Sequence, residues 1–546
     1  MKKVYLLLCS VALFTASCSD ETTVFSDPQD EIQLEKSDQI LKNSVVFDYS
    51  GVLDIAEEDF ITGKSASSGK AEQAGDYPLT LVAQISPPSF SGGENLTATH
   101  VHVDGDYAYV SYNTAADGYA GAIDIINVSD PLLPEVTSRL YYNNADVNSV
   151  EYNDGYVYAV GGVDAEKSVQ ATSNSFVAKI PVSGGRMNTT AIVYGFQQGF
   201  NSTDIEVSPN FVVVSSGGDG TITVYDKRDL TIVREAPFQD LRSVAMNNDE
   251  FAVLDASKGV SILDSNLNIT KEIAISTDFG AGTKRTLAYN GDKIIVSEGS
   301  KGAGIYSASS GTLIEYLPML IDPNSTSSEY RETNAVALNE EVILMANGGA
   351  GLCLSEDNGS NADLYGVIEL DGSINFVESK GDYIFAASGK EGLQIVKLNR
   401  PSESLVQECA SLNIYEGSSK LVVNEGQDIA FRGSKRFNSL KVSGSLLMCG
   451  TWTAKNDVEV KQNGLMEMNG TLVVGSNRKR KKITVEEGAV LRIEGNLTIY
   501  GDLELKDNST IEFLGSNSVV NVFGDVKIDD NVTITGDFDD AQNKFQ

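Results

Sequence analysis

VHVDGDYAYV, at residues 101–110, is the stretch of this sequence that decides its fold. It combines an alternating apolar run, a tight Asp-Gly turn and a second run rich in aromatic residues, which together predict a β-hairpin. Related stretches stand at residues 150–158 (VEYNDGYVY) and 376–385 (FVESKGDYIF), and seven such copies lie between about Thr99 and Leu398. A period of about 40 to 55 residues with four strand-like runs in each copy is typical of a β-propeller. We therefore predict an all-β protein with a seven-bladed propeller over residues 79–400.

The last copy of the repeat ends after Leu398, one strand short of four. An unassigned strand-like run, LTLVAQI at residues 79–85, lies upstream of the first copy. We expect this run to complete the seventh blade, because closing the ring removes the exposed edges that an open array would leave.

The pattern changes after about Pro401, where short apolar strands follow single glycines. These glycines are Gly444, Gly470, Gly495, Gly501 and Gly524. Strands of four or five residues separated by Gly/Asn turns predict a small β-solenoid over residues 401–546, in which each turn of chain stacks on the previous one. The pattern looks like a right-handed β-helix or the related polymer-forming solenoids, and a jelly-roll sandwich is the alternative.

The N-terminus has the features of a processing signal. Lys2 and Lys3 precede an apolar run, residues 4–14, that is too short to span a bilayer. Thr15-Ala16-Ser17-Cys18 resembles a bacterial lipobox, which implies that residues 1–17 are a lipoprotein signal peptide and that Cys18 carries acyl chains such as palmitate. We expect the polar, acidic residues 18–78 to form a lipidated flexible tether, with one apolar patch at residues 44–49 that can dock on a domain. The resemblance implies an outer-membrane lipoprotein, on either the cell-surface or the periplasmic face.

Charge and cysteine content narrow the classes of partner and site. A formal net charge of −35 argues against a nucleic-acid partner, because binding phosphates requires clusters of Lys and Arg. Cys353, Cys409 and Cys449 form an odd, sparse set without a Cys-x-x-Cys motif, so neither a disulfide framework nor a zinc ribbon is predicted. Cys409 and Cys449 can pair in an oxidising compartment, but we expect buried free thiols instead.

One blade carries a family resemblance. Residues 121–136, GAIDIINVSDPLLPEV, are similar to the LVIVD repeat, a propeller repeat of bacterial and archaeal surface proteins. The shared features are an apolar strand that ends in Asn127, a Ser-Asp-Pro turn, and a returning strand after a second proline. The other copies keep the strand end without the Ser-Asp-Pro turn. The resemblance implies adhesion or ligand display, and it supplies no catalytic residues.

Aligned copies place several acids and a histidine at one position of the inner strand. The position five residues before each second strand holds Glu378, His102, Glu151 and Glu206 on four consecutive blades of the closed ring. Converging carboxylates can hold a cation such as Ca²⁺, and His100 and His102 together form a His-x-His pair of the kind that seeds metal sites. A metal site at these four residues is therefore one interpretation. The other is that they pair with basic residues of neighbouring blades or contact water.

A second aligned position, eight residues before each second strand, is polar in every copy. Its residues are Thr99, Asn148, Thr203, Arg242, Arg285, Asn334 and Asn375. Uniform polarity predicts that they border the mouth of the channel and can bind a ligand. Arg242 and Arg285 lie on adjacent blades and can clamp a carboxylate or a phosphate. Salt bridges inside the channel, for example to Asp204 or Glu206, are the alternative.

The sequence lacks the motifs of known catalytic machinery. It has no Gly-x-Ser-x-Gly elbow, no P-loop, no His-Glu-x-x-His and only two histidines. We therefore expect a non-catalytic binding or display module for a protein or a glycan. The alternative is a carboxylate-dependent glycan hydrolase or lyase at the cell surface, which would need two facing carboxyls with raised pKa. One basic run, NRKRKK at residues 477–482, fits either contact with a polyanion or a solvated loop.

Overall fold

Nine β-sheets make up the part of the chain that the computed structural model describes. That part comprises residues 31–47, 55–57, 79–89, 95–248, 250–280, 284–322, 327, 329–339, 342–357, 362–398, 409, 412–515 and 518–545. Cys18 and the predicted signal peptide lie outside it. Its helical segments are the α-helix Asp38–Asn43 and the 3-10 turn Thr189–Ala191, and none of its helices is long and apolar enough to cross a membrane.

Seven of the sheets are antiparallel and form the blades of a propeller. From the axis to the rim, their strands are Thr97–Asp104, Tyr107–Asn113, Gly121–Asn127 and Glu135–Tyr142 in blade 1; Ala145–Asn153, Tyr156–Val163, Ser175–Ser183 and Val193–Gln197, with the short Arg186–Met187, in blade 2; Asp204–Val207, Phe211–Ser215, Thr221–Asp226 and Ile232–Pro237 in blade 3; Leu241–Asn247, Glu250–Asp255, Gly259–Leu263 and Ile269–Ala274 in blade 4; Leu287–Asn290, Lys293–Ser297, Ala303–Ser307 and Leu313–Leu317 in blade 5; Ala335–Asn339, Val342–Ala346, Leu352–Asp357 and Ala362–Ile368 in blade 6; and Phe376–Lys380, Tyr383–Ala387, Leu393–Leu398 and Leu79–Ile85 in blade 7. Each innermost strand contacts the innermost strands of both neighbouring blades, so the ring is closed and the seven-bladed propeller is confirmed.

The ring closes through the strand that the sequence left unassigned. Leu79–Ile85 pairs antiparallel with Leu393–Leu398, so that Leu79 lies opposite Leu398 and Ile85 lies opposite Leu393. Leu79, Ala83 and Ile85 are fully buried between the blades. One blade thus combines strands from both ends of the propeller sequence, as predicted.

Part of the segment that was expected to be a tether adds strands to the propeller rim. The additional strands are Ile32–Leu34 on blade 1, Val45–Val46 on blade 7 and Ile55–Glu57 on blade 6. Ser37 caps the helix between the first two of these strands by accepting a hydrogen bond from the Ile40 amide. Leu41 of that helix is buried against Val82 and Val136 at the junction of blades 7 and 1. The segment therefore covers the seam at which the ring closes.

The two remaining sheets are parallel and form the β-solenoid. One contains Lys420–Val423, Ser439–Val442, Val458–Val460, Ile483–Val485, Leu503–Leu505 and Val526–Ile528; the other contains Asp428–Phe437, Ser445–Ala454, Leu465–Val474, Val490–Ile499, Thr510–Phe513, Ser518–Val522, Thr533–Thr535 and Phe538–Asp540. Equivalent side chains stack from rung to rung, as in the buried column Leu446, Met466, Leu491 and Ile511. Stacked parallel strands confirm the solenoid and rule out the jelly-roll alternative, in which neighbouring strands are antiparallel.

A glycine ladder explains the recurrent glycines of this region. Gly433, Gly450, Gly470 and Gly495 lie in register at the middle of four long strands, with φ of 121°, 115°, 113° and 114°. A Cβ at Gly470 would lie 2.2 Å from the carbonyl oxygen of Gly450. Glycine is required here because the strand bends in a conformation that other residues rarely adopt, against the backbone of the preceding rung.

The expectation of free thiols is wrong for two of the three cysteines. Cys409 and Cys449 form a disulfide between Cα atoms 5.7 Å apart, and Cys353 is a buried free thiol. Cys449 lies in the second of the long stacked strands, while Cys409 precedes the first rung. Solenoid stacking brings the two together across 40 residues, a proximity that the count and spacing of the cysteines do not reveal.

Candidate functional site

All seven innermost strands begin at the same face of the propeller, which we call the entry face. It is formed by the loops that precede the innermost strands and by the loops between second and third strands. Backbone bridges join these two kinds of loop across blade boundaries, at Ala98–Gly389, Gly218–Asp240, Gly299–Thr333 and Gly348–Ile374. The loops of this face are therefore held in place by neighbouring blades.

The seven aligned polar residues each donate a hydrogen bond to the next blade. The bonds are Thr99 to Val147 O (2.8 Å), Asn148 to Ser202 O (2.8 Å), Thr203 to Leu241 O (3.5 Å), Arg242 to Gly280 O (3.2 Å), Arg285 to Asn334 Oδ1 (2.8 Å), Asn334 to Ile374 O (3.0 Å) and Asn375 to Ala98 O (2.8 Å). The last bond links blade 7 back to blade 1, which completes a circuit that we call the inter-blade ring. Six of the seven acceptors are backbone carbonyls, which would otherwise need water or another donor.

Both arginines of the ring are also ion-paired. Arg242 makes a two-pronged pair with Asp240 through bonds of 2.9 and 2.8 Å, and Arg285 pairs with Glu332. Burial and the charge of Arg242 lower the pKa of Arg285 to about 10. The salt-bridge interpretation therefore describes both side chains, although their partners are Asp240 and Glu332 rather than Asp204 and Glu206. A clamp for a ligand anion would have to displace these carboxylates.

A cavity of about 130 Å³ occupies the channel mouth. It is lined by Thr99, Asn113, Asn148, Thr203, Lys284 and Asn375. Four of these six belong to the inter-blade ring, so the ring bounds the cavity as predicted for a channel mouth. The bonds of the ring show, however, that its side chains hold the blades together as well as face the opening.

Lys284 is the charged group at the centre of this mouth, and the sequence analysis missed it. The residue precedes the innermost strand of blade 5, yet its Nζ lies 3.3 Å from the Asn148 carbonyl oxygen of blade 2 and 4.9 Å from the Phe376 ring of blade 7. No carboxylate in the described part of the chain lies within ion-pair distance of it. Burial lowers its pKa to about 8, against the opposing effect of the Asp204 carboxylate. Its ammonium therefore spans the channel with donors to spare.

The predicted metal set lies deeper in the channel and also bonds from blade to blade. The Glu378 carboxylate accepts from the Val103 amide at 2.9 Å, and Glu151 and Glu206 bond the backbones of Val207 and Met246 in the same way. His102 hydrogen-bonds the Tyr152 backbone. Among the described residues, no group of three or more His, Cys, Asp or Glu side chains is arranged to hold a metal ion. The geometry thus brings the four residues into a second set of inter-blade contacts and not into a calcium site.

Burial controls the charge of this deeper layer. It raises the pKa of Glu206 and of Glu378 to about 8, and the charge of Asp204 adds to the effect on Glu206. Burial and the neighbouring Glu206 carboxylate also raise the pKa of Glu151. Burial lowers the pKa of His102 to about 4. At neutral pH the layer is therefore mostly protonated carboxyls and neutral imidazole.

A larger groove of about 520 Å³ opens on the entry face beside the axial cavity and shares Asn375 with it. Glu329, Glu369, Asp371 and Glu391 supply its acidic lining, with Lys390 beside them. Two aromatic side chains stand exposed in loops of the same face, Phe200 at 63% and Tyr330 at 76%. The entry face therefore combines two adjoining depressions with exposed aromatic groups.

Comparisons with known proteins give similarity in architecture alone. The chain is similar to the WD40 β-propeller domain of Doa1, with 16% identity over 57% of this chain and 96% of that one and a TM-score of 0.42. It is also similar to the RRP9 WD40 repeats, with 12% identity over 60% and 98% of the two chains, and to U3-55K, with 13% over 56% and 97%; both TM-scores are 0.42. No protein-family description and no curated protein matches the chain.

The buried carboxyls predict a pH dependence of stability. Glu206 and Glu378 keep protons up to a pKa of about 8 in the folded state, whereas the unfolded chain releases them near their ordinary value of 4.5. The folded state thus binds more protons across this window, and its stability falls as pH rises through it. His102, with its lowered pKa, acts in the opposite sense below about pH 6.5, and Lys284 does so above about pH 8.

We expect Glu206→Gln and Glu378→Gln to flatten the decline in melting temperature between pH 6.5 and 8 and to raise that temperature at pH 8. Glutamine keeps an oxygen for the backbone amide but has no proton to lose. Differential scanning calorimetry at a series of pH values measures the effect, with the exposed Glu487→Gln as control. Equal pH slopes in all variants would show that these carboxyls are not the source of the decline.

Proposed function

We propose that this protein is a lipid-anchored component of the cell envelope that binds a partner protein or glycan at its entry face and performs no chemistry on it. The observation that carries the proposal is the adjoining axial cavity and acidic groove, with Phe200 and Tyr330 exposed beside them. Concave surfaces with a few convergent polar groups are the usual sites of ligand binding, and exposed aromatic residues are common anchors of protein interfaces.

The inter-blade ring suits the entry face for binding because it fixes the loops before a partner arrives. A surface that is already ordered loses little conformational entropy on association. Lys284 offers donors at the centre of the mouth, while Glu329, Glu369, Asp371 and Glu391 offer acceptors in the groove. A partner that complements this face presents an acceptor to the axis and basic or hydroxyl groups to the groove.

Several features support a location outside the cytoplasm. The Cys409–Cys449 disulfide fits an oxidising compartment. In blade 1, the Ser-Asp-Pro segment forms side-chain-stabilised turns, with Ser129 N donating to Asn127 Oδ1 (2.9 Å) and Leu132 N to Asp130 Oδ1 (3.0 Å). This is the stretch that resembles the LVIVD repeat of surface proteins. The lipobox at Cys18 supplies the anchor in this proposal.

Facing carboxyls of raised pKa would favour the hydrolase alternative, and Glu151 and Glu206 have raised pKa. Here the principal cause is burial, and each carboxyl bonds the backbone of the next blade. Neither carboxyl is among the residues that line the cavity at the channel mouth. We therefore place binding ahead of glycan hydrolysis.

The anchor is tested at Cys18. Replacing Cys18 by Ala should move the protein from the membrane fraction to the soluble fraction, because acylation requires the thiol. Fractionation of cells of a lipoprotein-processing Gram-negative host, followed by immunoblotting, measures the distribution. Cys9→Ala, at the other cysteine of the leader, should leave the protein in the membrane fraction. Membrane retention of Cys18→Ala would contradict the anchor.

The binding face is tested by paired surface variants. Phe200→Ser with Tyr330→Ser should abolish recovery of the partner by cross-linking and mass spectrometry in intact cells, or of the glycan on an array. Ile232→Ser with Ile269→Ser removes two exposed apolar side chains from outermost strands and should leave recovery unchanged. Loss in both variants, or in neither, would show that the entry face is not the binding surface.

A further inference from the structure

One corner of the solenoid contains an insertion. After the long strand that ends at Val474, residues 475–482 lead to the next strand at Ile483. The equivalent connections in neighbouring rungs are residues 455–457, 500–502 and 523–525. The corners stack on one another, as shown by bonds from Gly475 N to Ala454 O (2.8 Å) and from Tyr500 N to Val474 O (3.0 Å). The extra residues therefore project from an otherwise regular corner.

The insertion is a formed hairpin. Ser476 and Lys479 exchange backbone hydrogen bonds of 3.0 Å in each direction, and the Lys479 amide also donates to the Ser476 hydroxyl at 3.1 Å. Gly475 and Arg480 form a backbone bridge at its base. Gly475 has φ of 81°, and a Cβ there would lie 2.7 Å from the Lys481 nitrogen. This geometry holds the tip of the hairpin in a fixed position.

The tip holds cations without acidic partners. Arg478, Lys479 and Arg480 are exposed, and within the described residues none of them pairs with a carboxylate. The flanking Lys481 and Lys482 do have acidic neighbours, Asp457 at 4.0 Å and Glu504 at 2.6 Å. Most other solenoid cations near acids are also paired; examples are Lys441, Lys461, Arg492 and Lys527.

Three unpaired cations at one point are unusual in this chain, which has 76 acidic and 41 basic residues. We propose that the hairpin of residues 475–482 binds an anionic polysaccharide, whose carboxylate or sulfate groups pair with Arg478, Lys479 and Arg480. Arginine and lysine are the residues that recognise such groups, and arginine does so through two parallel hydrogen bonds. The exposed Lys455 on the preceding rung extends the basic surface along the solenoid.

A polysaccharide fits these observations better than a membrane does. Residues 476–480 are all polar or charged, so the tip has no apolar side chain to insert between lipids. A net charge of −35 opposes the approach of the whole protein to an extended anionic surface, whereas a thin polymer can contact one hairpin alone. The site is independent of the entry face, so either proposal can fail without the other.

The test is isothermal titration of the full chain with polygalacturonate and with heparin at low and high salt, with neutral dextran as the uncharged polymer. We expect binding of both anionic polymers, none of dextran, and weakening as salt rises, because exposed charge pairs are screened. The variant Arg478→Gln/Lys479→Gln/Arg480→Gln should bind the anionic polymers roughly tenfold more weakly, as expected for three exposed charge contacts.

The matched control removes the same charge from separate exposed sites, as Lys36→Gln/Lys258→Gln/Lys420→Gln, and should bind like the native chain. Equal loss in the control would reduce the effect to overall charge and overturn the assignment to the hairpin. Absence of binding by the native chain would overturn it as well. Stronger binding to phosphatidylglycerol vesicles than to the polymers would replace the polysaccharide with a membrane surface. A melting curve for each variant confirms that it is folded.

Discussion

The inter-blade ring is the constraint on which the propeller depends. Each blade is a separate sheet, so apolar packing alone would leave neighbouring blades free to slide past one another. Seven side chains at one position of the inner strand prevent this by donating hydrogen bonds to the next blade, and Asn375 joins the last blade to Ala98 of the first. These bonds are directional and protected from water, so they fix the register of the blades as well as their contact. The channel mouth, its cavity and the loops of the entry face derive their positions from this circuit.

The sequence predicted the positions of these residues but not their role. Repetition at a fixed offset located Thr99, Asn148 and their equivalents at the mouth, and the structure places them there. A ligand site and a structural girdle both require polar side chains, and the acceptors of the girdle are backbone carbonyls of another blade, which carry no signal in the sequence. Lys284 was missed for a related reason, since its reach to Asn148 depends on how the chain enters blade 5. The short strands at residues 32–34 and 45–46 lack flanking turn signals, and they form only because the blade edges offer them partners.

The two domains place different surfaces on one chain. The propeller offers a concave, acidic face with one lysine at its centre, and the solenoid offers a fixed basic hairpin on a regular stack. Both surfaces depend on backbone held from outside the local segment, by the neighbouring blade in one case and by the preceding rung in the other. This division suits a protein that binds more than one component of the cell envelope, as proposed above.

The central claim is that the aligned polar residues close the propeller. Chemical denaturation of Asn375→Ala, which removes the bond across the seam between blades 7 and 1, tests it most directly, with Asn148→Ala for comparison at the junction of blades 2 and 3. The account predicts that each variant loses about 1–3 kcal/mol of unfolding free energy, because a protected carbonyl is left without its donor. If these residues served only to bind a ligand, both variants would unfold at the native denaturant concentration or above it, and that result would contradict the account.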